Sequence, residues 1–155
     1  MLGVMVLAVS ANIANPLLTF SREPSFDPRP VTVEVGVLGN GPMSEVWFRR
    51  TVGRPRGART VSWTDTVRCP AARAALHEAR RLEMPRVSVP GLENDEIIIT
   101  ADGVRYRLTG MADYPGESSY RFQIMSNLDT PLARWVDESL RVLETRWTNE
   151  APDAR

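Results

Sequence analysis

Cysteine and histidine, the side chains most used for nucleophilic and acid–base work near neutral pH, occur once each in this chain of 155 residues, as Cys69 and His77. A thiol beside an imidazole is the simplest activated nucleophile a protein can build. Both residues fall in one stretch, Val61 to Leu82, which reads as a strand, a short turn and a helix opened by Pro70. On that helix eight residues amount to about 12 Å of rise and about 80° of residual rotation, so the pair cannot hydrogen-bond within it. Cys69 keeps one argument for reactivity, because a helix N-terminus favours the thiolate. Its apolar neighbours and the lack of a second cysteine for a C-x-x-C pair favour a small buried side chain instead. His77 falls opposite the alanine face, which predicts exposure to solvent. No Ser-His-Asp triad can form around another histidine, no disulfide can close within the chain, and a metal site would need mainly carboxylates.

The acids offer little concentration of chemistry. Asp95 and Glu96 precede a strand-like run, and Asp137 and Glu138 fall on the outer side of a helix, where solvated surface is the expected state. Glycine-rich phosphate loops, H-E-x-x-H and EF-hand patterns are absent. No catalytic residue, metal or cofactor is therefore assigned.

Arginine is where the sequence concentrates charge. The stretch from Trp47 to Arg59, WFRRTVGRPRGAR, carries Arg49, Arg50, Arg54, Arg56 and Arg59 beside Trp47 and Phe48. Five guanidiniums in one hairpin could hold phosphates or carboxylates bidentately. Arg105, Arg107 and Arg121 would extend the patch if their strand faces adjoin it. The competing expectation is a solubilised loop whose arginines pair with nearby acids. All 19 basic residues are arginine and balance 19 acids. Zero net charge argues against binding nucleic acid over the whole surface, which requires neutralising phosphates.

These residues need elements to position them. The composition, 43% apolar and 25% charged, is that of a folded domain. Val31, Val33, Val35 and Val37 alternate with polar or small residues as in a half-buried strand, and Asn40-Gly41 suits a hairpin turn. Strands are expected over Ser44 to Val52 and Arg59 to Val67, then the Pro70 helix with Ala72, Ala75, Leu76, Ala79 and Leu82 on one face. Met84 to Leu92 reads as a proline-bounded extended connection. Glu96 to Thr100, the Asp102-Gly103 turn and Val104 to Thr109 read as a second hairpin, followed by a strand from Ser119 to Met125. Pro131 opens a second helix with Leu132, Trp135, Val136, Leu140, Leu143 and Trp147 as its apolar stripe, capped by Thr130 or Asp129. CPAAR from Cys69 and TPLAR from Thr130 lie sixty-one residues apart, and the two hairpin turns nearly so, an offset that a duplicated β-β-β-α unit would produce as readily as coincidence. The expected fold is α+β: an antiparallel sheet of about six strands with two helices packed on one face.

Residues 1–14 form a signal-like segment whose apolar run, Met1 to Val9, is too short to span a membrane and lacks a positive n-region. Residues 15–30, with prolines at 16, 24, 28 and 30, read as an extended linker and not a packed element; residues 31–149 form the domain and 150–155 a frayed tail. These features together suggest an exported, non-enzymatic binding or accessory module of a bacterial envelope, periplasmic or secreted. Anchoring or membrane contact through the first segment is the alternative. Its expected partner is an envelope protein or anionic envelope polymer held by Arg49, Arg50, Arg54, Arg56, Arg59 and Trp47. Two other readings compete: a small hydrolase or thiol enzyme using Cys69 or surface carboxylates, and a nucleic-acid-binding module if the protein stays in the cytoplasm.

Overall fold

The computed structural model describes residues 15–26, 29–39, 44–53, 56–85, 103–113 and 118–152. Six strands alternate apolar and polar side chains and pair antiparallel throughout: β1 (Leu18–Pro24), β2 (Val31–Leu38), β3 (Glu45–Val52), β4 (Thr60–Asp65), β5 (Val104–Asp113) and β6 (Ser119–Ser126). They form one sheet in the order β4-β3-β2-β1-β5-β6, with α1 (Ala71–Ala79) between β4 and β5 in sequence and α2 (Pro131–Leu143) after β6. The protein is α+β, with a six-stranded antiparallel sheet and two helices.

The largest departure from the sequence reading concerns residues 15–30. In place of a linker, Leu18–Pro24 forms β1, which lies between β2 and β5 and joins the two halves of the sheet. Its prolines do not prevent this: Pro16 precedes the strand and Pro24 ends it, where a missing N–H interrupts no central hydrogen bond. Phe20 is 1% exposed, and its ring meets Trp135 of α2 edge-on at 5.0 Å. The packed structure thus begins well before Val31.

The expected turn at Asn40-Gly41 and the expected strand at Glu96 to Thr100 lie outside the described residues. β5, the partner assigned to that strand, carries β1 along one edge and β6 along the other. On either side of β1 the strands run outward as β2-β3-β4 and as β5-β6, each series followed by a helix.

The pleat sends alternate side chains to opposite faces. On one face Phe20, Val33, Val35, Phe48, Tyr106 and Leu108 meet Leu132, Ala133, Trp135, Val136 and Leu143 of α2 to form the core. Thr130 caps α2 by accepting the Ala133 N–H at 3.1 Å, and Pro131 supplies its first residue. The small side chains of α1 admit α2: Ala72 is buried, and the Ala75 carbonyl accepts the Trp135 indole N–H at 2.8 Å. Beyond α2 the chain turns through Glu144–Arg146, and Thr148 exchanges backbone hydrogen bonds with Trp63 of β4, tying the C-terminal end to that sheet edge.

One partly buried polar link joins sheet to helix. The Tyr106 hydroxyl donates to Asp137 at 2.8 Å, and Arg22 pairs with the same carboxylate at 3.2 Å. Burial first, and the hydrogen bond to Asp137 second, push the Tyr106 phenol above its ordinary value of 10.0. A phenol whose folded pKa is raised contributes stability that is complete below pH 10 and is lost as pH rises through the raised value. Tyr106→Phe should therefore cost about 1 kcal/mol near pH 7 and should flatten the loss of stability above pH 10, as denaturant melts of the two proteins at pH 7 and 11 will show.

Candidate functional site

The face of the sheet turned away from the helices holds a hollow of about 810 Å³. Four strands supply most of its floor and walls: Glu23 of β1, Thr32 and Glu34 of β2, Arg49 and Thr51 of β3, and Val61 and Trp63 of β4. Arg107 enters from β5 and Arg59 from the residue before β4. Among the described residues no helix covers this face, which suits its polar side chains, and the period-two alternation that buries Val33 and Phe48 below must raise Thr32, Glu34 and Arg49 above.

Two ion pairs cross the hollow's floor. Arg49 donates its Nε hydrogen to Glu34 at 2.5 Å, a bond that raises the Arg49 pKa against the opposing pull of burial. Arg107 lies 3.7 Å from Glu23, and its Nε is buried without a hydrogen-bond partner among the described residues. Both pairs are partly open to water, so each is worth at most about 1 kcal/mol and exchanges readily with an incoming group.

A hierarchy of aromatic contacts sets the β3–β4 wall. Trp47 lies over Gly36, where a Cβ would collide with the indole edge, and the ring is 1% exposed. Trp63 leans on it with ring centroids 5.8 Å apart, and the Arg49 guanidinium sits 5.5 Å from the Trp63 ring centre. Trp47 thus supports the site from the side, and a ring so buried is not open to a partner.

The arginines of the hairpin separate. Arg49 and Arg59 line the hollow, while Arg50, one residue from Arg49, must point to the opposite face. There its Nε donates to Ser62 at 3.0 Å, its guanidinium lies 4.6 Å from the Trp147 ring centre and 3.5 Å from Glu144, and burial pushes its pKa down. Arg56 is exposed and is not among the residues lining the hollow, and Arg54 lies outside the described residues. Arg107, singled out in the sequence only through its strand, joins the hollow from the other half of the sheet. Glu23, Glu34 and Trp63 were missed; the alternation of β2 and β3 was the signal that pairs Glu34 with Arg49, directly opposite in register.

The other sequence candidates sit elsewhere. Cys69 is 3% exposed, and its thiol donates to the Val142 carbonyl at 3.6 Å, so it packs as a small core side chain. His77 is exposed. Asp137 is engaged by Tyr106 and Arg22, and Glu138 pairs with Arg141, which holds its carboxyl below the usual range. Asp95 and Glu96 lie outside the described residues. Among the described residues no three His, Cys, Asp or Glu side chains cluster as metal ligands would, and no helix is long and apolar enough to cross a membrane. Comparison with protein-family models, curated proteins and solved structures gives no match.

Proposed function

We propose that this protein is a binding module that takes an anionic partner on the open face of its sheet, with the bacterial envelope as the setting its N-terminal sequence suggests. The observation that carries this reading is the composition of the hollow: Arg49, Arg59 and Arg107 line it against two carboxylates, Glu23 and Glu34. A guanidinium has five N–H donors in a planar fork, so pairing with one glutamate leaves it able to hold a second carboxylate or a phosphate. The enzymatic reading through Cys69 draws no support from a thiol packed in the core.

Poly-glutamate titrated into the full chain should bind with an affinity that falls as salt rises. Arg49→Gln combined with Arg107→Gln should weaken it about tenfold or more, and Arg50→Gln, on the other face, should leave it within about twofold. Equal affinity for the wild type and the Arg49/Arg107 double variant, with both folded, would remove the hollow from consideration. The envelope setting has its own check, namely sequencing the N-terminus of the protein recovered from an exported fraction: a terminus after Ala11 supports it, and an intact Met1 on a protein retained inside the cell overturns it.

A further inference from the structure

The two ion pairs occupy opposite corners of the hollow, and their separation carries information about what could lie between them. Glu34 faces Thr19 across the β1–β2 pair, and Glu23 lies four residues further along β1. Arg49 faces Glu34 from β3 and Arg107 faces Ser21 from β5, so the two arginines lie two residues apart along the strands, about 7 Å, and three strand spacings across, about 14 Å, a Cα diagonal of about 16 Å that both side chains shorten by leaning inward to Glu34 and Glu23. Arg49 is held at the first corner and Arg107 at the second. Between them the lining is Thr32, with Thr51 beside it on β3, and both hydroxyls donate and accept hydrogen bonds.

From this spacing we infer that the partner is an extended acidic peptide segment bearing two carboxylates four residues apart, one taken by Arg49 and the other by Arg107. The inference rests on the anionic-partner reading above. An extended chain advances about 13 Å in four residues and returns its side chain to the same face, a step that suits two guanidiniums each leaning inward from its Cα toward the middle of the sheet. A small anion would engage one corner and gain nothing from the other. A peptide also presents backbone N–H and C=O groups to the threonine hydroxyls of the floor. A sugar acid fits less well, because the ring of Trp63, the natural stacking platform, is already engaged by Arg49 and leans on Trp47. Glu23 and Glu34 hold the guanidiniums in place and compete with the incoming carboxylates, so the site binds by exchange.

Three labelled probes titrated into the full chain by fluorescence anisotropy separate the outcomes: a nine-residue Ser/Thr peptide with glutamates at positions three and seven, the same composition with adjacent glutamates, and an oligogalacturonate. The spaced peptide should bind about tenfold tighter than the adjacent one, and Arg49→Gln or Arg107→Gln alone should erase that preference while the thermal midpoint stays within a few degrees of wild type. Glu34→Gln should tighten the spaced peptide about threefold by removing a competitor. Equal binding of the two peptides, at a level that the double arginine variant abolishes, overturns the spacing and leaves the anionic site standing. Binding of the oligogalacturonate alone overturns the peptide in favour of a sugar acid, and failure of all three probes overturns the anionic-partner reading itself.

Discussion

Phe20→Ala should lower the free energy of unfolding by about 3–5 kcal/mol, enough to unfold a marginal domain at moderate temperature. The ring is 1% exposed and sits where β1, β2 and β5 come together, opposite Val33 on one neighbour and Leu108 on the other. Trp135 meets it edge-on from α2, so truncation removes an aromatic pair as well as apolar area. The surrounding residues are held by hydrogen-bonded strands on both sides and cannot collapse into the space, which places the cost toward the upper part of the range. The effect extends to cooperativity, because in the sheet β1 lies between β2-β3-β4 and β5-β6 and pairs with both. Denaturant melts followed by tryptophan fluorescence and by far-ultraviolet circular dichroism should stay coincident in the wild type and separate in the variant. A loss below about 1 kcal/mol would mean that residues 18–24 are an appendage to the sheet and not its middle.

That same strand shows why the sequence carried most of the fold and not all of it. β2 and the two helices were legible because their signals are local: four valines at period two, a proline opening each helix, and Thr130 positioned to cap the second. β1 has the same alternation over only Leu18 and Phe20, after which the position on the helix side is Arg22, a charged residue that Asp137 of α2 meets at the rim of the core. The partner lies more than a hundred residues away, so no window of the sequence contains the reason. Four prolines around it then read as linker chemistry, when two of them bound a strand. The arginine hairpin failed in a different way. Arg49 and Arg50 looked like one patch because they are adjacent, and adjacency on a strand is what separates side chains onto opposite faces. What brings Arg107 to Arg49 is the insertion of β1 between the halves of the sheet, a long-range topological fact. The hollow was illegible for the reason that β1 was.

Gly36→Ala should cost about 2–3 kcal/mol of stability and should also weaken anion binding at the hollow, a pairing of effects that Phe20→Ala does not predict. A Cβ at Gly36 falls within the Cε2, Cζ2 and Nε1 edge of the Trp47 indole, a rigid ring that is itself 1% exposed and has no vacant space to enter. Relief requires the ring to tilt, β2 to separate locally from β3, or both, and either costs packing and hydrogen bonds. Trp63 rests on Trp47, and Arg49 on Trp63, so a displaced indole moves the guanidinium that one corner of the hollow depends on. Glycine is therefore required here by the close approach of an aromatic ring to the backbone, in the middle of a strand where it would otherwise weaken the sheet. Tryptophan emission reports the displacement directly, since Trp47 should shift to longer wavelength as its ring meets water. Titration with poly-glutamate then separates the two possibilities. Affinity reduced about threefold or more in a variant that remains folded means that the Trp47–Trp63–Arg49 stack positions the site. Wild-type affinity beside the expected loss of stability means that Trp47 only fills space beside it, and that Glu34 alone is sufficient to aim Arg49.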